Sequence, residues 1–300
     1  YSRLQALLGD GKRCGVVTTE EGERTEARER FHEWVDTGKF EGLVVRSEQG
    51  ITHKVKPFVT IDAVVIAFGE REEDGRPKVR ELTVALLRDD GSFHVLGSVG
   101  NGFDDDGRTD WHERLSGIEM PSSFRMANRE GTLCRFVKPE IIVEIKVSDI
   151  VDTDSRDFPV RRMTLGYDAQ NGWSSIGSLP IVSLIHPVFV RERDDKLVDV
   201  GSVGLDQIMS LVPFEGRSMQ ATPKDLSRSE VLRRGVWTKE TKGSLGVRKY
   251  VAFATNKSEE DRNFPPYVVY FTDFSSGRKD PLKTEMRVTP DKDMVNAYIE

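Results

Sequence analysis

Two runs rich in aliphatic and β-branched residues, Glu81 to Arg88 and Ser92 to Val99, flank Asp89-Asp90-Gly91. Nothing else in the chain restricts the fold as tightly. Asp-Gly supplies the positive φ angles of a tight turn, so the two runs read as an antiparallel hairpin. Further strands at Arg135-Phe136-Val137, Ile141 to Val147 and Arg161 to Leu165, with a loop-helix insertion near Asp110 to Leu115, place that hairpin in a small all-β unit. A barrel and a sandwich both satisfy this pattern.

Upstream the pattern differs. Tyr1 to Leu8 reads as part of a helix, and a chain that starts there without Met is expected to lack its N-terminal portion. Thr25 stands as cap of an amphipathic helix carrying Ala27, Phe31, Trp34 and Val35, with Glu26 and Glu29 in its first turn and Gly38 as its stop. Strands follow at 42–46, at 53–56 after a turn around Gly50, and at 62–68, closed by Gly69. The charged, Gly- and Pro-containing stretch from Glu70 to Val79 predicts a domain boundary and hinge. From Ser227 a basic stretch, strands at 248–255 and 267–272, and a helix near 292–299 predict a third, small α+β unit.

At 300 residues, two domains and a partial third are expected. With 37% hydrophobic and 31% charged residues and a mean hydropathy of −0.46, the chain has material for real cores, which excludes disorder as its main theme. No apolar run reaches membrane-spanning length and no secretion signal opens the chain. Cys14 and Cys134 make neither a disulfide framework nor a zinc cluster, so a cytoplasmic protein is expected. The net charge of −6 gives no global pull toward nucleic acid. From Val212 onward, however, 16 basic residues face 13 acidic ones, making this the more phosphate-friendly part.

Three constellations carry chemistry. In Glu41-Gly42-Leu43-Val44-Val45-Arg46 followed by Lys54-Val55-Lys56, strand alternation puts Lys54 and Lys56 on one face as an anion site. Glu41 is placed for a metal or a ribose hydroxyl, and Gly42 permits close backbone approach. Next come Glu81 to Leu87 and Val95-Leu96-Gly97-Ser98-Val99-Gly100-Asn101-Gly102-Phe103, with Phe136 to Ile145 beyond. The third is Ile185-His186-Pro187-Val188-Phe189-Val190-Arg191-Glu192-Arg193-Asp194-Asp195-Lys196, whose Arg193 and Lys196 suit phosphate oxygens.

In this order the pieces resemble the C-terminal half of ATP-dependent DNA ligases, in the covalent nucleotidyltransferase superfamily, over roughly residues 1–210. Glu41 to Arg46 resembles motif IV and Lys54 to Lys56 motif V, with a shorter gap than is usual in the family. The Gly-rich turn ending in Phe103 is similar to the opening of the ligase OB domain, with Asn101 where Thr is usual. Arg193, Asp195 and Lys196 match the Arg-x-Asp-Lys of motif VI.

The resemblance implies a β-rich α+β chain. Residues 1–75 would be the end of an adenylation domain, 76–211 an OB-fold β-barrel, and 212–300 a C-terminal extension for nucleic acid or a protein partner. It implies ATP with Mg2+ or Mn2+, and a monomer sealing 5′-phosphate/3′-hydroxyl nicks in duplex DNA, or in RNA-containing duplex, through enzyme-AMP and DNA-adenylate intermediates. Catalytic roles fall on Lys54, Lys56, Arg193, Asp195 and Lys196, nucleotide contacts on Glu41, Arg46, Lys54, Lys56, Arg193 and Lys196, and the metal on Glu41. The family's nucleophilic Lys-x-Asp-Gly is absent; Arg88-Asp89-Asp90-Gly91 is only a hairpin turn, so this chain alone is expected not to self-adenylate. An RNA or polynucleotide ligase, favoured by the short gap, and a non-catalytic ligase-derived nucleic-acid-binding module are the alternatives. In the extension, Arg233-Arg234, Trp237, Lys239, Lys242, Arg248-Lys249-Tyr250, Lys257, Tyr267 to Phe271 and Arg278-Lys279 interleave basic and aromatic groups.

Overall fold

The computed structural model describes residues 1–9, 14–128, 130–212, 214, 216, 219–222, 225–241, 243–262, 264–278 and 281–300. Lys242 and Lys279, both among the basic residues singled out above, lie outside the described residues. The chain forms two compact units, Tyr1–Phe58 and Val59–Glu300. Among the described residues no helix is long and apolar enough to cross a membrane.

In the first unit, helix α1 spans Ser2–Leu8 and α2 spans Arg24–Phe31, the latter running on into a π-helical turn over His32–Asp36. The cap of α2 is Glu23 rather than Thr25: Glu23 and Glu26 form a reciprocal capping box, which satisfies two end donors where a threonine serves one. Strands β1, Leu43–Arg46, and β2, Thr52–Val55, pair antiparallel with Val44 opposite Lys54.

The second unit is mainly one sheet, making the chain a β-rich α+β protein. Its strands are β3 (Val59–Glu73), β4 (Arg76–Leu87), β5 (Phe93–Val99), β6 (Arg135–Phe136), β7 (Ile142–Val147), β9 (Arg161–Asp168), β10 (Gly172–Pro180) and β12 (Val188–Glu192). The short strands β8 (Asp149–Val151) and β11 (Ser183–Ile185) pair with each other. The large sheet runs β10-β9-β5-β4-β3-β7-β12, with β6 also on β3. Beyond β5 the chain turns back on the far end: Asn101 bridges Val188 and accepts the Phe189 N–H at 2.8 Å, which curls the sheet. Ile61, Ala63, Val65, Phe68, Val84, Leu86 and Ile145 line one apolar cluster, while Val64, Ile66, Leu165 and Trp173 line another. Strands β3 and β4 are therefore buried on both faces, which explains their nearly unbroken apolar runs. Trp173 donates its indole N–H to the Val137 carbonyl at 2.8 Å, so its buried polar atom is satisfied.

The expected boundary at Glu70 to Val79 is instead the tip of the β3–β4 hairpin. Glu70 pairs with Val79 and Glu73 with Arg76, while Asp74 and Gly75 turn the chain at φ 52° and 71°. Its charges and proline belong to a solvated two-stranded ribbon, and the compact units divide at Phe58, ahead of the expected 75. Helix α3, Asp105–Gly117, is capped by Asp104, which accepts the Gly107 N–H, and buries Trp111 and Leu115 against the sheet.

After short helices α4 (Val200–Val203) and α5 (Asp206–Met209), four antiparallel strands form a second sheet: β13 (Glu230–Thr241), β14 (Ser244–Ala254), β15 (Tyr267–Ser275) and β16 (Leu282–Thr289). Helix α6, Lys292–Ile299, packs Val295 and Ile299 on Tyr250, Ala252, Val269 and Phe271. This sheet and α6 have their own small core, and they belong to the same compact unit as β3 to β12. The Met286 N–H donates to the Gly131 carbonyl at 2.6 Å, and Lys283 pairs with Glu72 at 2.8 Å.

Candidate nucleotide-binding cluster

Strand β12 is fastened before it delivers its charged end. Phe189 stacks on Phe103 with ring centroids 4.4 Å apart and meets the edge of Trp111 at 5.6 Å. The approach depends on Gly102, at φ 95°: a Cβ there would lie 2.2 Å from the Phe189 carbonyl oxygen. Glu192 accepts both terminal nitrogens of Arg114 at 2.8 Å, tying β12 to α3. A bulge between Phe189 and Arg191 re-aims the residues that follow, and the Arg193 N–H donates to the Ile142 carbonyl at 2.8 Å.

The guanidinium of Arg193 then reaches β3. Its Nη1 lies 2.9 Å from Asp62 Oδ1 and 3.0 Å from Oδ2, while Nε and Nη2 each donate to Asp195 at 2.8 Å. Lys196 Nζ is 2.6 Å from Asp62 Oδ2. Asp62 and Glu144 are directly opposite on β3 and β7, a like-charge pair that needs compensation. Arg193 lies 3.8 Å from Glu144, which also accepts from Arg191 at 2.7 Å. Three cations thus meet three carboxylates. Only 11% of the Asp62 side chain and 14% of that of Arg193 is exposed, against 57% for Asp195. The hydrogen bonds from Arg193 hold the Asp195 carboxyl down at about 2, and the same contacts raise Arg193 above its ordinary range. Asp62 is locked from behind by Gln207, whose side-chain amide exchanges two 2.9 Å hydrogen bonds with the Asp62 backbone.

Sequence reasoning identified Arg193, Asp195 and Lys196 but missed Asp62, Glu144, Arg191 and Gln207. An isolated acid in the apolar run Asp62-Ala63-Val64-Val65-Ile66 was the available signal, because a charge entering a buried strand demands a partner.

In the first unit, Glu41 forms an ion pair with Lys56, whose hydrogen bond lowers the Glu41 carboxyl below the usual range. A Cβ on Gly42 would stand 2.6 Å from the Val55 carbonyl oxygen, the close approach expected of it. Arg46 and Lys54 are exposed on one face of the β1–β2 hairpin, without an ion-pair partner among the described residues. Those two cations fit an anion as they stand. Among the described residues no group of three or more His, Cys, Asp or Glu side chains could hold a metal ion.

Residues 75–196 match the family model of the ATP dependent DNA ligase C terminal region. This segment is similar to the C-terminal region of ATP-dependent DNA ligases. The matched region starts at the tip of the β3–β4 hairpin and ends on Lys196, the last residue of Arg-x-Asp-Lys. No curated protein matches the chain. Among solved structures, the ligase domain of M. tuberculosis LigD is 15% identical with a TM-score of 0.33, over 67% of this chain and 57% of that one. A mycobacterial DNA ligase D complexed with ATP and MES is 17% identical, TM-score 0.27, over 59% and 55%. A structure titled Pmar-Lig_PreS3 is 18% identical, TM-score 0.33, over 56% of this chain and only 31% of its own. The chain therefore spans between about a third and somewhat over half of these proteins.

Proposed function

We propose that this chain is the back half of an ATP-dependent DNA ligase that seals 5′-phosphate/3′-hydroxyl nicks in duplex DNA through enzyme-AMP and DNA-adenylate intermediates. The observation that carries this reading is the family match over 75–196, which ends on the Arg193-x-Asp195-Lys196 cluster. The curled sheet that holds this cluster is read as the OB-type barrel of such enzymes. ATP supplies the adenylate; the chain's own residues bind and orient phosphate oxygens, the main task in phosphoryl transfer.

Lys54 and Lys56 are assigned to the α-phosphate, with Arg46 beside them on the exposed hairpin face. Arg193 and Lys196 are assigned to the β- and γ-phosphates. Asp195 is then the group that yields: exposed, and held by the same fork of Arg193 that a phosphate would take. Asp62 stays behind to keep both cations in place. Glu41 is a single carboxylate already paired with Lys56. It suits a magnesium ion only where the substrate's phosphates and water supply the other ligands. The sequence holds no Lys-x-Asp-Gly, so the nucleophile is assigned to residues outside these 300.

The test is intact-protein mass after incubation with ATP and magnesium. The full-length gene product, if it carries a Lys-x-Asp-Gly segment, is expected to gain one AMP, while the 300-residue chain gains none. Absence of the adduct from both would move the assignment to a nucleic-acid-binding module without ligation chemistry.

A further inference from the structure

Helix α6 covers only part of one face of the second sheet. Register places Gly235, Tyr250 and Phe271 side by side on that face, and Trp237, Arg248 and Asp273 in the next rank toward the β13–β14 turn, followed by Lys239. The Tyr250 and Phe271 rank lies beneath α6, whereas Trp237 is 44% exposed. Its ring is nonetheless fixed. It stands 4.9 Å from the ring of Tyr250, at an interplanar angle of 32°. Tyr250 in turn lies across Gly235, where a Cβ would be 2.3 Å from its ring. An exposed indole is thus held on a rigid strand by a neighbour for which the backbone makes room.

The charges around it are unusual for a simple solvated face. Exposed Arg233, Lys239 and Arg248 have no ion-pair partner among the described residues, whereas Arg278 is paired with Asp273 at 3.2 Å. Arg248 instead sits 5.0 Å over the Phe271 ring. Two hollows open on either side of Trp237: one reaches Arg233, Tyr250 and Glu300, the other Lys239, Asp273 and Arg278, and Arg248 lines both. Along β13, Arg233 and Lys239 are roughly 20 Å apart, at about 3.4 Å per residue.

We propose that this face, with Trp237 as stacking platform and Arg233, Lys239 and Arg248 as backbone contacts, binds single-stranded nucleic acid. Uncompensated cations supply the complementarity to a phosphate chain, and a flat exposed ring between two hollows takes an unpaired base. A duplex keeps its bases paired and would leave the Trp237 ring without use. The assignment goes beyond nick sealing and stands whether or not the ligation reading holds.

The test uses the whole 300-residue chain with a fluorescein-labelled oligothymidylate, and the same length of blunt duplex as second probe, read by anisotropy. The single strand is expected to bind more tightly than the duplex and to quench tryptophan fluorescence. Trp237→Ala is expected to weaken binding about 10-fold or more, and Trp237→Phe less, because a ring is kept. Arg233→Glu and Lys239→Glu, both on exposed side chains, are each expected to lower the salt dependence of log K by about 0.7. No binding of the single strand, equal binding of Trp237→Ala and the parent, or preference for the duplex without quenching would each overturn the proposal.

Discussion

Asp62 is the common partner of both cations in the Arg-x-Asp-Lys ending: its carboxylate lies 2.9 Å from Arg193 and 2.6 Å from Lys196, across more than a hundred residues of chain. An acid on the central strand β3 thereby sets the position of the last residues of the matched region. Removing it strands two cations beside Glu144, and removing one partner of a buried pair is costly. Asp62→Ala is expected to destabilise the second unit by about 3 to 5 kcal/mol in urea unfolding, the range for breaking a buried pair. Asp195→Ala, at the exposed end of the same fork, should leave the unfolding midpoint nearly unchanged.

Function should divide along the same line. In a protein that carries the nucleophile, Arg193→Ala is expected to slow formation of the AMP adduct about 100-fold, the scale of a lost preorganised donor. Sealing of a preadenylated nick should fall much less. Lys56→Ala should impair both. Rapid-quench assays of the two steps make the comparison, and equal slowing of both by Arg193→Ala would refute the placement of Arg193 on the leaving phosphates.

His94 is fully buried, accepts from Arg88 at 3.4 Å through Nδ1, and donates to the Leu179 carbonyl at 3.3 Å through Nε2. Burial, and then the positive charge of Arg88, hold its pKa down at about 3. The unfolded chain takes up the proton near pH 6.5, where the native protein does not. Stability is therefore full above that point and falls as pH drops toward 3, by at most about 1.4 kcal/mol per pH unit from this group. His94→Gln should flatten that slope in denaturant titrations between pH 6.5 and 4. An unchanged slope would remove His94 as its source.

The two cysteines should behave oppositely. Cys14 is exposed, whereas burial pushes the Cys134 thiol up to about 12. A native thiol titration at pH 8 should report one reactive group per chain, rising to two in denaturant. Two at once would mean that the Cys134 region opens readily.

Gly102→Ala tests the fastening of β12. A methyl group at φ 95° and 2.2 Å from a backbone oxygen can be relieved only by moving β12 itself. A loss of about 3 kcal/mol or failure to fold is expected. If Gly102→Ala kept full stability, the Phe103 to Phe189 contact would not be the anchor described above.

What could be read in advance was what short-range chemistry dictates. The Asp89-Asp90-Gly91 turn, with Gly91 at φ 79°, the strand Ile142–Val147, helix α3 and helix α6 all follow from turn residues, alternation or capping nearby. Strand β10, Gly172–Pro180, went unseen because its glycines, serines and proline read as loop, yet it pairs with β9 along its whole length. Strand β13 was hidden in the same way, since only one of its long sides is paired and its side chains face water. At the candidate site the charged tail of β12 was legible, but Asp62 and Gln207 were not, because only the folded sheet brings positions 62, 144, 193 and 207 together. The Glu70 to Val79 misreading has a related cause: charge plus glycine marks exposure, and a protruding ribbon is as exposed as a linker.

The β3–β4 hairpin bears on how this protein should be divided in the laboratory. The family match begins at residue 75, at the very tip of that ribbon, whereas β3 lies between β4 and β7 in the sheet. A piece excised at that point would discard the strand that seals the middle of the sheet. Two raw edges ready to aggregate would be left, and the carboxylate facing Arg193 would be gone. Cut at 59 instead, the same piece keeps its middle strand and its counter-charge.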